Sequence, residues 1–364
     1  MKIGMIGQYG MPRGVSYVYS MMTKILKEEH EMFLLQRGEN EWSDEFEKIA
    51  NVHKYPKFDV PKEVFKKWLK DNKIDVMIFN EEQWIGELQT DTLVDVCKEL
   101  KIKSLHYVVW EKLNLKEFEY YEKFDKIICP TVATYDQMKY FGFENIEHVR
   151  WGADREIFKP SENYEKKIKD KTVLFHPGGY GGIYNRKQSE DVIEAFQMLK
   201  NDDVILLVSR QDVQNFGGKP GIYKNENYKN VEFFVGTMPQ NELIKLYQEC
   251  DVVVLPSKWE GNGLPFHEAL MMGKPVITVN GPPMNEMIKD GINGLCAKVL
   301  STEKYEGIHT DAYIVDRNSL KAKMMIAMQP EFLHVMKRNA FKTGKEIWDW
   351  NINGQKLLEI LKEL

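Results

Sequence analysis

Glu260-Gly261-Asn262-Gly263-Leu264-Pro265-Phe266-His267-Glu268-Ala269-Leu270-Met271-Met272-Gly273-Lys274-Pro275-Val276-Ile277 decides the fold, because it compresses a loop, a helix and a strand into one short run. Pro265 suits the first turn of a helix, where its missing N–H removes no hydrogen bond, and Gly273 suits the position just past the end. The spacing predicts a loop, a helix over 264–272 and a strand over 276–279. Glu260 falls in the loop, and Glu268, eight positions on, falls in the second turn of the helix. The amides of Gly261 to Leu264 then point outward at the positive helix end, a place suited to phosphate. A carboxylate on each side of a bound diphosphate can hold hydroxyl groups, as a sugar and a ribose require.

The same alternation extends in both directions. Short apolar runs at 3–6, 32–35, 76–79, 104–108 and 126–129 read as strands, as do 172–176, 204–208, 231–235, 252–255 and 276–279. Helical patterns at 17–27, 61–72, 90–100, 189–200, 241–249 and 264–272 lie among them. Repeated strand–helix alternation means an α/β architecture with parallel sheets covered on both faces. Each half opens on a strand that runs into a glycine loop: Ile6-Gly7-Gln8-Tyr9-Gly10, then His176-Pro177-Gly178-Gly179-Tyr180-Gly181-Gly182. The reading is two Rossmann-like domains, divided near the polar, lysine-rich stretch 160–171. Gly4, Gly7 and Gly10 lack the GxGxxG spacing, so dinucleotide binding there is not indicated.

Composition narrows the class. At 364 residues, 43% hydrophobic and 29% charged, the chain is long enough for two globular domains, each with its own core. A net charge of −5 argues against a general nucleic-acid binder. Cys97, Cys129, Cys250 and Cys296 form no CxxC pair, which argues against a disulfide framework or a structural zinc site and fits a reducing cytoplasm. No apolar run approaches the ~20 residues of a spanning helix. The N-terminus has a strand pattern over 2–6 in place of a signal peptide's longer apolar region. The expected location is cytoplasmic.

The 260–277 stretch resembles the paired-glutamate signature of the GT4-type retaining glycosyltransferases, and the resemblance continues along nearly the whole chain in that family's order. It implies a GT-B fold: an acceptor-binding domain over 1–160, a nucleotide-sugar-binding domain over 161–340, the two facing across a cleft, and a C-terminal helix over 341–364 crossing back to the first. By the same resemblance Glu260 serves the transferred sugar, Glu268 the ribose, and the Gly263 and Leu264 amides the diphosphate. Arg186 and Lys187, with Gly181 and Gly182, look like the phosphate clamp, although the family's arginine six residues before the lysine is Gly181 here. The chemistry needs such a clamp, because the leaving nucleoside diphosphate gains charge, and one well-placed donor is worth ~3–4 kcal/mol. His106 stands where the family places a histidine facing the sugar. Gly14 belongs to a loop, Gly10-Met11-Pro12-Arg13-Gly14-Val15-Ser16, that resembles the glycine loop approaching donor or acceptor. Phe234-Val235-Gly236-Thr237-Met238 resembles the turn that reads the base, and Arg210, in place of a glycine pair, can reach the base or a phosphate. Val149-Arg150-Trp151-Gly152-Ala153-Asp154 resembles the hinge, with Trp151 replacing an asparagine.

The resemblance thus implies an enzyme that moves a sugar, with retention, from a nucleoside-diphosphate sugar to a hydroxyl acceptor, which is a glycan, a lipid-linked or a small-molecule acceptor. UDP-sugars are the first expectation for the donor and GDP-mannose the second. No aspartate-rich metal motif is evident, and the helix dipole with Lys187 can take a metal's electrostatic part, so neither metal nor cofactor is expected. A sugar-nucleotide epimerase on the same fold and a noncatalytic sugar-nucleotide-binding protein are the alternatives. Trp84, Trp110, Tyr120 and Tyr121 read as core packing before they read as a sugar platform. Lys62, Lys66, Lys67 and Lys70 alternate with Val64, Phe65, Trp68 and Leu69. That pattern leaves open a helix packed on a sheet or a weak peripheral membrane association.

Overall fold

The computed structural model describes residues 1–7, 14–38, 46–80, 87–114, 118–161, 163–179, 185–211, 219–225, 227–306 and 308–364. They form two compact units, Met1–Trp151 with Trp350–Leu364, and Gly152–Asp349.

In the first unit β1 (Lys2–Gly7), β2 (Glu31–Arg37), β3 (Asn51–Tyr55), β4 (Val76–Asn80), β5 (Lys103–Tyr107), β6 (Lys126–Cys129) and β7 (Ile146–His148) make one sheet. Their order is β3-β2-β1-β4-β5-β6-β7, and every pairing is parallel. All five residues of β4 are buried, as a strand covered on both faces requires. β3 has no buried residue, which is why its polar sequence carried no strand signal. The helix Lys62–Asn72 turns Phe65, Trp68 and Leu69 into the core, while Lys66 pairs with Glu99 and Lys67 with Asp71. Its apolar side is spent on packing, so it offers no apolar face to a membrane. Among the described residues no helix is long and apolar enough to cross one.

In the second unit β8 (Thr172–Gly179), β9 (Val204–Arg210), β10 (Gly221–Lys224), β11 (Val231–Val235), β12 (Val252–Val254), β13 (Val276–Val279) and β14 (Gly294–Ala297) form a sheet of order β10-β11-β9-β8-β12-β13-β14. It is parallel except for β10 against β11. In both sheets the strand order reverses beside the first strand, between β1 and β4 and between β8 and β12. The crevice outside the carboxyl ends at such a point is where α/β sheets bind ligands. A separate antiparallel hairpin, β15 (Val299–Tyr305) and β16 (Ile308–Val315), stands outside the sheet.

The sequence predicts boundaries at 160 and 340 and a returning helix over 341–364. The division instead falls after Trp151 and after Asp349. The helix Pro330–Ile347 stops because its end is held from elsewhere in the second unit. The Ala153 N–H donates to the Trp348 carbonyl at 2.9 Å, and Asp349 pairs with Arg155 at 3.1 Å. In the first unit the Trp350 ring lies 3.9 Å from that of Trp151, centroid to centroid, and its Nε1–H donates to the Met21 carbonyl at 3.1 Å. The returning element therefore starts at Trp350.

Candidate active site

The helix Leu264–Met271 begins and ends as its sequence predicts. Gly263 precedes it with φ 64°, Pro265 sits in its first turn, and Gly273 follows the C-cap Met272 with φ 69°. A Cβ at Gly263 would meet the Met287 Sδ at 2.6 Å in a left-handed backbone, so glycine is the residue that fits. No side chain caps this helix start. Pro265 has no N–H and the Phe266 N–H donates to the Gly263 carbonyl at 2.9 Å, so the Leu264 N–H and the positive end of the dipole are what this start can offer a ligand.

Two loops meet beside it. After β8 the chain reaches a turn with Asn185 and Gln188 in left-handed conformations, and Arg186 and Lys187 lie between them. After β12 the chain runs through Ser257 to Glu260. The Lys258 N–H donates to the Arg186 carbonyl at 2.8 Å, which joins the loops at the backbone. The Glu260 carboxylate accepts from the Arg186 Nη1 at 2.9 Å through one oxygen and from the Lys187 ammonium through the other. Glu260 is 3% exposed and Lys187 5%. Burial pushes the Glu260 carboxyl up, but Lys187 and Arg186 outweigh it and hold the group at about 2. It is ionised at neutral pH, and two cations against one carboxylate leave the cluster positive.

Glu268 lies on the same helix, buried, and accepts a hydrogen bond from the Tyr247 hydroxyl at 2.8 Å. Burial raises its carboxyl to about 7, and the Tyr247 bond and the charge of Lys187 only partly offset that. Tyr247 was not legible from sequence; its helix, Gln240–Glu249, reads only as amphipathic. Two buried histidines pin the loops. His176 contacts the Val254 carbonyl at 2.7 Å and the Ser189 hydroxyl at 2.8 Å, and His267 contacts the Asn262 carbonyl at 2.7 Å. Burial lowers both to about 4, so both are neutral.

The remaining predicted residues are distributed as follows. Arg210 ends β9 and pairs with Glu190 at 3.3 Å, while its carbonyl accepts from the Gly236 N–H at 2.7 Å. Met238 is half-buried in the turn after β11, and Leu264 is half-buried at the helix start. Gly181, Gly182, Trp84 and 10–13 lie outside the described residues. In the first unit Gly14 opens the helix Gly14–Leu26 and is exposed. His106, on β5, is 1% exposed and stacked on Phe124 at 4.6 Å, with the Tyr120 hydroxyl 3.5 Å from its Nε2. Burial lowers it to about 3, so the imidazole is neutral and packed among aromatic side chains. Trp110 and Tyr121 are buried in the same core. The folded second unit thus brings Arg186, Lys187 and Glu260 into contact with one another, beside the helix that carries Gly263, Leu264 and Glu268. Among the described residues no group of three or more His, Cys, Asp and Glu side chains is placed to hold a metal.

Residues 159–309, which contain this cluster, match the family model for glycosyl transferases group 1. Over 183 residues it is 25% identical to the alpha-monoglucosyldiacylglycerol synthase of Streptococcus pneumoniae, covering 47% of this chain and 41% of that one. Over 178 residues it is 25% identical to a GDP-mannose-dependent alpha-mannosyltransferase of Corynebacterium glutamicum, covering 48% and 41%. The chain thus spans about two fifths of the length of these curated relatives. Over the full length of both chains, the structure of Anabaena Alr3699/HepE in complex with UDP and glucose superposes with a TM-score of 0.73 at 15% identity. The fold is therefore GT-B, two Rossmann-like domains.

Proposed function

We propose that this chain transfers a sugar from a nucleoside-diphosphate sugar to a hydroxyl acceptor with retention of configuration. One observation carries the reading: a pair of cations, the half-buried Arg186 and the buried Lys187, meets Glu260 beyond the carboxyl ends of β8 and β12, beside a helix start that no side chain caps. That is a receptacle for an anion whose charge grows as a bond breaks.

In the reaction the bond from the sugar C1 to the β-phosphate oxygen breaks and a bond from the acceptor oxygen to C1 forms. The acceptor proton passes to the departing phosphate oxygen on the same face, so no separate strong base is required. Lys187, Arg186 and the amides of Gly263 and Leu264 neutralise the departing diphosphate, a preorganised stabilisation on the order of 10²–10³ in rate per donor. Glu260, ionised, accepts hydrogen bonds from hydroxyl groups of the sugar, and Glu268 accepts them from those of the ribose. These cations supply the charge that a metal would otherwise provide, so turnover is expected to persist in EDTA. UDP-sugars are the first choice of donor, supported by the UDP bound to the Anabaena protein, and GDP-mannose is the second, supported by the Corynebacterium relative. The acceptor class is a glycan, a lipid-linked or a small-molecule hydroxyl.

The test is a thermal-shift panel of UDP-, GDP- and ADP-sugars, since a bound donor raises stability by mass action. Transfer of label from the best donor to an acceptor follows, with release of nucleoside diphosphate and the product anomer read by NMR. A donor that stabilises the chain but yields only an isomerised sugar nucleotide, or no turnover with any acceptor, overturns the assignment.

A further inference from the structure

Gln188 immediately follows the two site cations, and its side chain is fully buried. Its backbone is left-handed, φ 52°, an unfavourable conformation for a residue with a side chain. The carboxamide uses both of its N–H donors and one acceptor direction across long stretches of chain. The Nε2 donates to the carbonyl of Pro256, in the loop leading to Glu260, and to the carbonyl of Tyr313 on β16 at 3.0 Å. The Oε1 accepts from the Val315 N–H at 3.0 Å. Three segments therefore converge on one amide: the turn that carries Arg186 and Lys187, the loop that carries Glu260, and the hairpin.

The hairpin makes further contacts with the Glu260 loop. The Tyr313 N–H donates to the Lys258 carbonyl at 2.9 Å, and Lys258 in turn reaches the Tyr305 hydroxyl at 2.7 Å. The Trp259 ring, next to Glu260, is buried against Ile308 and Ala312, with Tyr305 packed alongside. A two-stranded ribbon is marginal by itself, so this one owes its order to that packing.

We propose that Gln188 is a positioning residue, which locks the cation turn and the carboxylate loop in register and makes the β15–β16 hairpin a structural part of the donor site. The inference rests on the function proposed above. Gln188 acts through Lys187 and Arg186: a shift of about 1 Å in such groups is enough to cost about 100-fold in rate. Glycine and asparagine both tolerate the left-handed backbone, so Gln188→Gly and Gln188→Asn keep the turn foldable while removing or shortening the clamp.

The experiment measures kcat, KM for donor and acceptor, and affinity for UDP and for GDP by calorimetry. It compares wild type, Gln188→Gly, Gln188→Asn, Lys187→Ala and the double variant Lys187→Ala/Gln188→Gly, each checked for its folded circular dichroism spectrum. Expected are a fall in kcat of about 10- to 100-fold in Gln188→Gly, weaker binding of the preferred nucleoside diphosphate, and an unchanged KM for the acceptor. In the Lys187→Ala background the same glycine substitution should cost clearly less than in the wild type, because the part of its effect that runs through Lys187 is already lost. Wild-type kcat and nucleotide affinity in both Gln188 variants, or fully additive losses in the double variant, overturn the inference while leaving the function intact. A wild-type chain that binds neither nucleotide and transfers no sugar overturns the proposed function itself.

Discussion

The Tyr247 hydroxyl donates to the Glu268 carboxylate at 2.8 Å, with both side chains buried. A buried carboxyl with one neutral donor and only a distant cation resists ionisation, and Glu268 is held up at about 7. Between the ordinary glutamate value and about 7 the folded chain holds a proton that the unfolded chain has lost. Stability therefore falls as pH rises through that window and levels off above it. Glu268→Gln keeps a hydrogen-bond acceptor for Tyr247 but cannot ionise. Its stability relative to wild type should rise by about 2–3 kcal/mol from pH 5 to pH 8, read as the difference in urea midpoints at each pH. A difference that does not change with pH would mean that Glu268 is already ionised at pH 5.

Glu260 shows the opposite behaviour. Burial disfavours its charge, but Lys187 and Arg186 reverse the balance and hold it at about 2. Its stabilisation is present above the ordinary glutamate value and is lost as pH falls toward about 2. Glu260→Gln leaves the buried Lys187 and the half-buried Arg186 without their counter-charge, and breaking a buried pair in this way typically costs about 3–5 kcal/mol. The same vacancy favours an incoming diphosphate. The variant should be less stable than wild type without ligand, should bind UDP or GDP at least about tenfold more tightly, a gain of about 1.4 kcal/mol, and should turn over more slowly. Calorimetric titration at pH 7.5 reads the affinity. Weaker nucleotide binding would mean that Glu260 does not compete with the diphosphate for these cations.

What could be read in advance follows from physical range. β4, β12 and β13 are mostly apolar and buried throughout, with Asn80 and Thr278 the polar residues among them, and such runs announce themselves. The Pro265 and Gly273 punctuation of the site helix is local as well, and the ends of that helix were legible. β3 and β15 expose most of their residues, so hydropathy reads them as loops. The stop at Trp348 has neither glycine nor proline behind it; it depends on Arg155 and Ala153, far away in sequence. In the site, residue types were legible and partnerships were not. Arg186, Lys187, Glu260 and Glu268 stood out as charges. That Glu260 takes both cations while Glu268 takes a tyrosine is a property of the folded loops. Nothing in the local sequence marks Gln188, which follows a charged pair, as a fully buried residue.

Gly344 predicts a remote effect on the site. A Cβ there would stand 2.6 Å from the Leu270 carbonyl carbon and the Met271 nitrogen, backbone atoms of the helix that carries Glu268. Backbone cannot rotate away, so Gly344→Ala must push the helix Pro330–Ile347 off its neighbour. Overpacking of this kind costs about 1–3 kcal/mol, and nucleotide affinity should fall with it. Gly273→Ala is the control: φ is 69° but the nearest atom, the Phe341 Cβ, is 3.4 Å away. It should cost about 1–2 kcal/mol from the backbone alone and leave affinity unchanged. Thermal melts with and without UDP separate the two variants. Equal affinities in both would disconnect this helix contact from the site.

Trp350 tests how the C-terminal segment holds the first unit. Its ring lies against Trp151 and its Nε1–H reaches Met21, while Leu357, Leu358, Ile360 and Leu361 bury the apolar side of the segment that follows. The Asn353 amide donates to the Trp151 carbonyl at 3.1 Å, and Lys356 pairs with Glu147 at 3.2 Å, so the segment is fastened at several points. Trp350→Ala removes the largest of these contacts and leaves a cavity, a loss of roughly 3–5 kcal/mol. None of those partners belongs to the second unit, which keeps its own sheet, hairpin and cation cluster. Differential scanning calorimetry should therefore show one transition moving to lower temperature in Trp350→Ala while the other stays in place, and calorimetric titration should still detect nucleotide binding below the first transition. A single transition that shifts as a whole, with nucleotide binding lost alongside it, would show that the two units unfold as one and that Trp350 supports both.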